Sequence, residues 1–134
     1  MWMIVTGNRG LAALFTGDHE AARAAFRAEL EIVRELVLRP IASEGFLGLA
    51  ALAAADGNAP RAARLRGAAQ SHTFDNQQED VVRRVEARFL DAARASAGAD
   101  AWDRAAREGA ALSFEDAIAY ALEERVVDPT GRLR

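Results

Sequence analysis

Gly17-Asp18-His19-Glu20-Ala21-Ala22-Arg23 and Gly57-Asn58-Ala59-Pro60-Arg61-Ala62-Ala63 lie 40 residues apart, and each follows one alanine-rich run and opens another. A tight turn holding glycine, with a small residue five positions on, joins two antiparallel helices and lets them pack closely. A fixed period in this range is the signature of stacked helical hairpins, which present a surface to partners. The pattern points to binding rather than to chemistry.

Composition agrees with an all-α fold. The chain has 134 residues, enough for one domain with a real core. Half of them are hydrophobic, but only 7% are aromatic and 32 are alanine, the best helix former and small enough for close helix approach. Strand formers are scarce and scattered. Without cysteine there is no disulfide framework, thiolate nucleophile or Cys-ligated zinc. All 17 basic residues are arginine, so neither a P-loop lysine nor Schiff-base chemistry is available. A net charge of −3 and a pI near 5.4 argue against direct nucleic-acid binding. No apolar run reaches the roughly 20 residues that a membrane span needs. Met1-Trp2-Met3-Ile4-Val5 lacks the basic start and long apolar core of a signal peptide. A cytoplasmic location is the expectation.

The periodicity predicts about six helices and one short one. The first covers about 2–16. The second, about 19–38, carries Ala22, Ala25, Phe26, Leu30, Val33 and Val37 in one apolar stripe, and Arg39-Pro40 ends it. The third, about 41–55, is apolar almost all round and is expected to be buried. The fourth runs to about Ser71, with Pro60 in its first turn. Asp75 and Gln78 fit a capping box for a fifth helix, about 76–97, whose inner side holds Val81, Val82, Val85, Phe89, Ala92 and Ala93. Gly98 stops it. A short helix is expected around 102–107, and Ser113 with Asp116 caps a last one ending near Glu124. Residues 1–124 form a single domain in this reading, and 125–134 a loose tail.

Two resemblances emerge. Gly10, Ala13, Gly17, Ala22 and Phe26, and again Phe46, Leu49, Ala50, Ala53, Gly57, Ala62 and Ala69, resemble the small and aromatic positions of tetratricopeptide repeats. Arg66 stands where that motif usually has an aromatic, and the spacing of 40 exceeds the usual period of about 34. The stretch from Ala62 to Ala69, then Gly98, Trp102, Glu108-Gly109 and 112–122, resembles the C-terminal helical region of bacterial, especially actinobacterial, LuxR-type transcriptional regulators and related ATPase regulators. The resemblance covers roughly 8–124. It implies a tetratricopeptide-like α–α superhelix, the scaffold of such a regulator. No Walker-type loop and no helix-turn-helix reader is identifiable beside it.

Most candidate sites have a structural explanation. Asp18-His19-Glu20 reads as a helix start, because neighbouring residues on a helix point apart and cannot share one metal. His72 reads as a solvated helix end. Gly45-Phe46-Leu47-Gly48 has the spacing of a nucleic-acid-binding loop but lies within an apolar helical pattern, so it reads as packing. Arg61, Arg64 and Arg66 with Arg83, Arg84 and Arg88 suggest a basic strip, set against a solvated face balanced by Glu79, Asp80 and Glu86.

The expectation is therefore a non-enzymatic protein–protein interaction module of a bacterial transcriptional or signalling regulator, with no catalytic, metal or cofactor residue. Trp2, Phe46, Arg61, Arg64, Arg83, Arg84 and Trp102 are the partner-binding candidates. The first and third helices would line a concave face, with Ala12, Ala13, Leu14, Phe46, Leu49 and Ala50 supplying packing. Trp2, Met3, Ile4 and Val5 would be buried against a second copy, making a homodimer, or against another domain. The alternative is an effector-sensing domain with a pocket of several hundred Å³ between the hairpins.

Overall fold

The computed structural model describes residues 2–36, 42–72 and 79–123. All regular structure among them is helical: α1 (Trp2–Thr16), α2 (His19–Leu36), α3 (Ala42–Ala55), α4 (Ala59–Ser71), α5 (79–97), α6 (Ala99–Ala110) and α7 (Phe114–Ala121). The all-α expectation holds. The predicted break at Arg39-Pro40, the Asp75 capping box and the tail at 125–134 lie outside the described residues.

The two quoted turns share a positive-φ glycine and the same pair of closing backbone hydrogen bonds. Gly17 has φ 90° and Gly57 φ 81°, the left-handed region that glycine enters without a Cβ clash. The amide of Gly17 donates to the Leu14 carbonyl (3.3 Å) and that of Asp18 to the Ala13 carbonyl (2.9 Å). Forty residues on, Gly57 donates to Ala54 (3.0 Å) and Asn58 to Ala53 (2.8 Å). These paired bonds satisfy the carbonyls that a helix end leaves free. The Asp18 and Asn58 side chains then accept the amides of Ala21 and Arg61, both at 3.2 Å, and so start the next helix. Asp18 is thus a cap, as expected.

The chain packs mostly in order: α1 on α2, α2 on α3, α3 on α4, then α4 on α6. Helix α7 lies against α2 and α4, and the middle of α5 against α3. Phe26 of α2, fully buried, is the central knob. Its ring fills the space beside Gly10 of α1, where a Cβ would stand 2.9 Å from it, and the space beside Gly48 of α3. Leu30 does the same against Gly45, at 2.8 Å. The Gly45–Gly48 stretch is therefore packing, and Gly10 serves the core. Between α4 and α6 the approach is closer still. A Cβ on Gly67 would strike the backbone of Ala106, and one on Gly109 the backbone of Arg64. Removing two side chains at a crossing lets the helix axes come together.

Three expectations need correcting. Residues 45–53 of α3 are all buried, so α3 lines no open concave face. Leu14, Phe46, Leu49 and Ala50 are core, Ala13 is half-buried, and of that set only Ala12 is exposed. Helix α6 is not a short turn but twelve residues, with Trp102, Ala105 and Gly109 inward. Helix α7 ends at Ala121, three residues before the expected end.

Helix α5 departs from regular geometry. It is α-helical over Glu79–Val85, π-helical over Glu86–Leu90 and α-helical again over Asp91–Ala97. A π turn adds one residue, so the inward position after Val85 is Leu90 rather than Phe89. Phe89 is left half-buried and Ala92 exposed, against the period-based expectation. The displaced segment has a second role: Arg88 donates to the Phe15 carbonyl at the end of α1 (2.8 Å) and lies over the Phe15 and Phe89 rings, 5.6 and 5.4 Å from their centroids.

A candidate arginine-lined binding site

Two arginines one turn apart and a third distant in sequence meet where α2, the α3–α4 turn and the end of α7 come together. Arg23 and Arg27 stand one turn apart on α2, and Arg61 lies in the first turn of α4. With Leu49, Asp56 and Glu123 among their neighbours, they line a partly enclosed cavity of about 110 Å³. The groove beside it, about 380 Å³ and open, follows the outer face of α2, where Ala24 and Ala28 sit among Glu20, Arg23, Arg27 and Glu31.

Each guanidinium is held in place. Arg23 reaches Asp56 at 2.8 Å and Glu20 at 3.1 Å. Arg27 donates one Nη to the Leu122 carbonyl (2.8 Å) and the other to Glu123 Oε2 (3.2 Å). Arg61 donates to the carbonyls of Tyr120 (3.1 Å) and Ala121 (2.9 Å), its guanidinium 5.0 Å from the Tyr120 ring centre. Helix α7 is eight residues long, and its last carbonyls carry the negative end of the helix dipole. Two cations from neighbouring helices meet those carbonyls, which docks α7 on α2 and α4.

Glu123 is the weak member. Its φ of 60° makes it the one non-glycine residue with positive φ among those described, a conformation costing roughly 1–2 kcal/mol. The Arg27–Glu123 pair is exposed on both sides, 32% and 64%, so solvent screening leaves it worth about 1 kcal/mol or less.

A second titratable cluster lies inside. Glu29 of α2 is 3% exposed, and its Oε2 has no hydrogen-bond partner among the described residues; nor has Oε1 of Glu44, in the first turn of α3. Burial, reinforced by the nearby Glu44 charge, pushes the Glu29 carboxyl up to about 8, and burial raises Glu44 as well. Glu29 therefore carries its proton at neutral pH. No group of three or more metal-ligating side chains gathers among the described residues.

The sequence-derived candidates scatter. Phe46 is fully buried and Trp102 is 7% exposed, so both are core rather than contact residues. Arg64 pairs with Glu108 (3.0 Å) and Arg66 with Glu86 (3.4 Å), tying α4 to α6 and α5. Arg83 and Arg84 are exposed on α5, and the side chain of Trp2 lies outside the described residues. The expected basic strip is thus divided among separate partners, and only Arg61 reaches the cavity. His72 is not solvated: its Nε2 lies 3.1 Å from the Leu112 carbonyl and its ring packs on Phe46 and Phe114. Arg23, Arg27 and Glu123 were missed as site residues. The Arg23–Arg27 spacing was a signal, but only tertiary packing brings Arg61 to them.

Chemically, the cavity offers fixed cationic donors with room for a group the size of one carboxylate or phosphate. No helix among the described residues is long and apolar enough to cross a membrane. No family model matches the sequence, and no curated protein or solved structure matches it.

Proposed function

We propose that this chain is a non-enzymatic, tetratricopeptide-like module that binds another protein, working in the cytoplasm as part of a bacterial transcriptional or signalling regulator. The observation that carries this reading is the repeated hairpin turn, with the same backbone bonds at Gly17 and Gly57. Repeated hairpins with few other duties are how stacked-helix proteins build recognition surfaces. Effector sensing is the alternative; the partly enclosed cavity beside Arg23, Arg27 and Arg61, about 110 Å³, is smaller than the roughly 300–1,000 Å³ common for metabolite pockets. Self-association through the N-terminal end of α1 belongs to the same proposal.

Site-specific photo-cross-linking in the host cell tests the reading. A photoreactive residue at Ala24 or Ala28, on the outer face of α2, is expected to yield a discrete adduct with one other protein. The same residue at Ala111, exposed after α6, is the control. Equal labelling from both places, or none from α2, would overturn the proposal.

A further inference from the structure

We propose that the cavity lined by Arg23, Arg27 and Arg61 receives the carboxylates of an acidic segment of a partner protein, and that this chain's own Glu123, on the cavity wall, holds Arg27 until that segment arrives. The inference rests on the reading of the chain as a protein-binding module and names the chemistry of the partner. Four observations carry it.

First, three guanidiniums converge from two helices on one small cavity, and fixed planar donors suit carboxylates. Second, the arginines of the cavity wall already pair with carboxylates: Glu123 Oε2 sits 3.2 Å from Arg27 and Asp56 Oδ2 2.8 Å from Arg23. Third, Glu123 is easily displaced from Arg27. Its pair with Arg27 is exposed, and its backbone is in the left-handed region that a glutamate avoids, so release relaxes it. Arg61 meanwhile faces two carbonyl dipoles and a ring rather than a full charge in these contacts. Fourth, the open groove on α2 shares Arg23 and Arg27 with the cavity. A polypeptide lying over Ala24 and Ala28 could therefore place an acidic side chain in the cavity without the core having to open.

The chain's net charge of −3 makes the local chemistry decisive. An acidic partner would be repelled by the surface as a whole and attracted at this one place, which gives register as well as affinity. Glu20, Asp56 and Glu31 beside the arginines limit how much negative charge the groove tolerates, and favour a short acidic cluster over a long acidic tract.

The test is fluorescence anisotropy of the full chain with a labelled peptide carrying four consecutive glutamates between alanines, alongside its glutamine counterpart. The glutamate peptide is expected to bind and the glutamine peptide to fail, with affinity falling as salt rises. Glu123→Gln should tighten binding about threefold to tenfold, because a competing carboxylate is gone. Arg27→Gln should weaken it about tenfold. Since Arg27 and Arg61 also hold α7, loss of binding in an arginine variant counts only when its melting curve stays cooperative. The Glu123→Gln gain does not depend on that condition. Arg107→Gln, an exposed change on α6, should leave affinity unaltered. Equal binding of both peptides, equal loss with Arg107→Gln, or no gain with Glu123→Gln would overturn the assignment. So would competition by inorganic phosphate at concentrations similar to the peptide's, which would make the site a small-anion receptor. If cross-linking from α2 captures a partner but the cavity variants leave that capture unchanged, the cavity assignment fails and the protein-binding reading stands. If no partner is captured, the reading itself fails.

Discussion

Gly109→Ala is expected to destabilise the fold by about 4 kcal/mol or more, measured by urea unfolding followed through helical circular dichroism. The sign is what makes the experiment informative. Within a helix, alanine normally stabilises by roughly 0.5–1 kcal/mol over glycine. Here the new methyl would occupy the space of the Arg64 backbone carbonyl on α4, and a carbonyl within a helix cannot turn aside as a side chain can. The two helices must separate, which opens the core to which Trp102 and Ala105 of α6 and Leu65 and Ala68 of α4 belong, all now buried. Gly67→Ala, the reciprocal change against Ala106, should behave alike. Gly17→Ala provides the contrast. Nothing stands within 4 Å of its Cβ position, so only the strain of φ 90° remains, about 1 kcal/mol. A Gly109→Ala variant as stable as the parent would show that α4 and α6 do not cross backbone to backbone.

The second large effect depends on pH. Glu29 titrates near 4.5 when exposed and near 8 in the fold, so the native state binds the extra proton between those values. Stability contributed by the protonated form is complete below about pH 4.5 and is lost as pH rises through about 8. A shift of that size corresponds to at most about 5 kcal/mol, a large share of a typical domain's roughly 5–15 kcal/mol. Glu44 is raised too, which adds to the loss in the same direction. The parent should therefore be markedly less stable at pH 8.5 than at pH 5. Glu29→Gln, neutral at every pH, should flatten most of that slope. The readout is parent minus variant across pH rather than either curve alone. Identical slopes in the two proteins would mean that Glu29 is not held protonated.

Much of the fold was legible because it depends on local rules. Glycine followed by Asp18 or Asn58 predicts a helix stop and a helix start, and both turns form that way. Ser113 accepts the Asp116 amide at 3.1 Å, as its spacing from the acid implies. Legibility ended where local rules did. The π turn in α5 replaces Phe89 with Leu90 in the core, and a strict 3.6-residue period cannot express that shift. Gly109 reads as a helix end in sequence, although it is the contact point with α4 and lies inside α6. That reading cut α6 short.

The candidate site was less legible still. Arginine is the chain's only strong cation, so a cluster in sequence carried little information about a cluster in space. Arg61 reads as part of a strip with Arg64 and Arg66, yet their bonded partners differ: the Tyr120 and Ala121 carbonyls of α7 for Arg61, Glu108 of α6 for Arg64 and Glu86 of α5 for Arg66. Aromatic residues misled for a related reason. With so few aromatics in the chain, Phe46 and Trp102 belong to the core.

The most direct test of the central claim, that this molecule recognises a protein through the outer face of α2, is amide hydrogen exchange on the chain alone and in complex with the partner captured from Ala24. Slowed exchange is predicted over α2, the α3–α4 turn and the end of α7, with α6 unchanged. Protection confined to α5 and α6, with α2 exchanging as it does in the free chain, would contradict it.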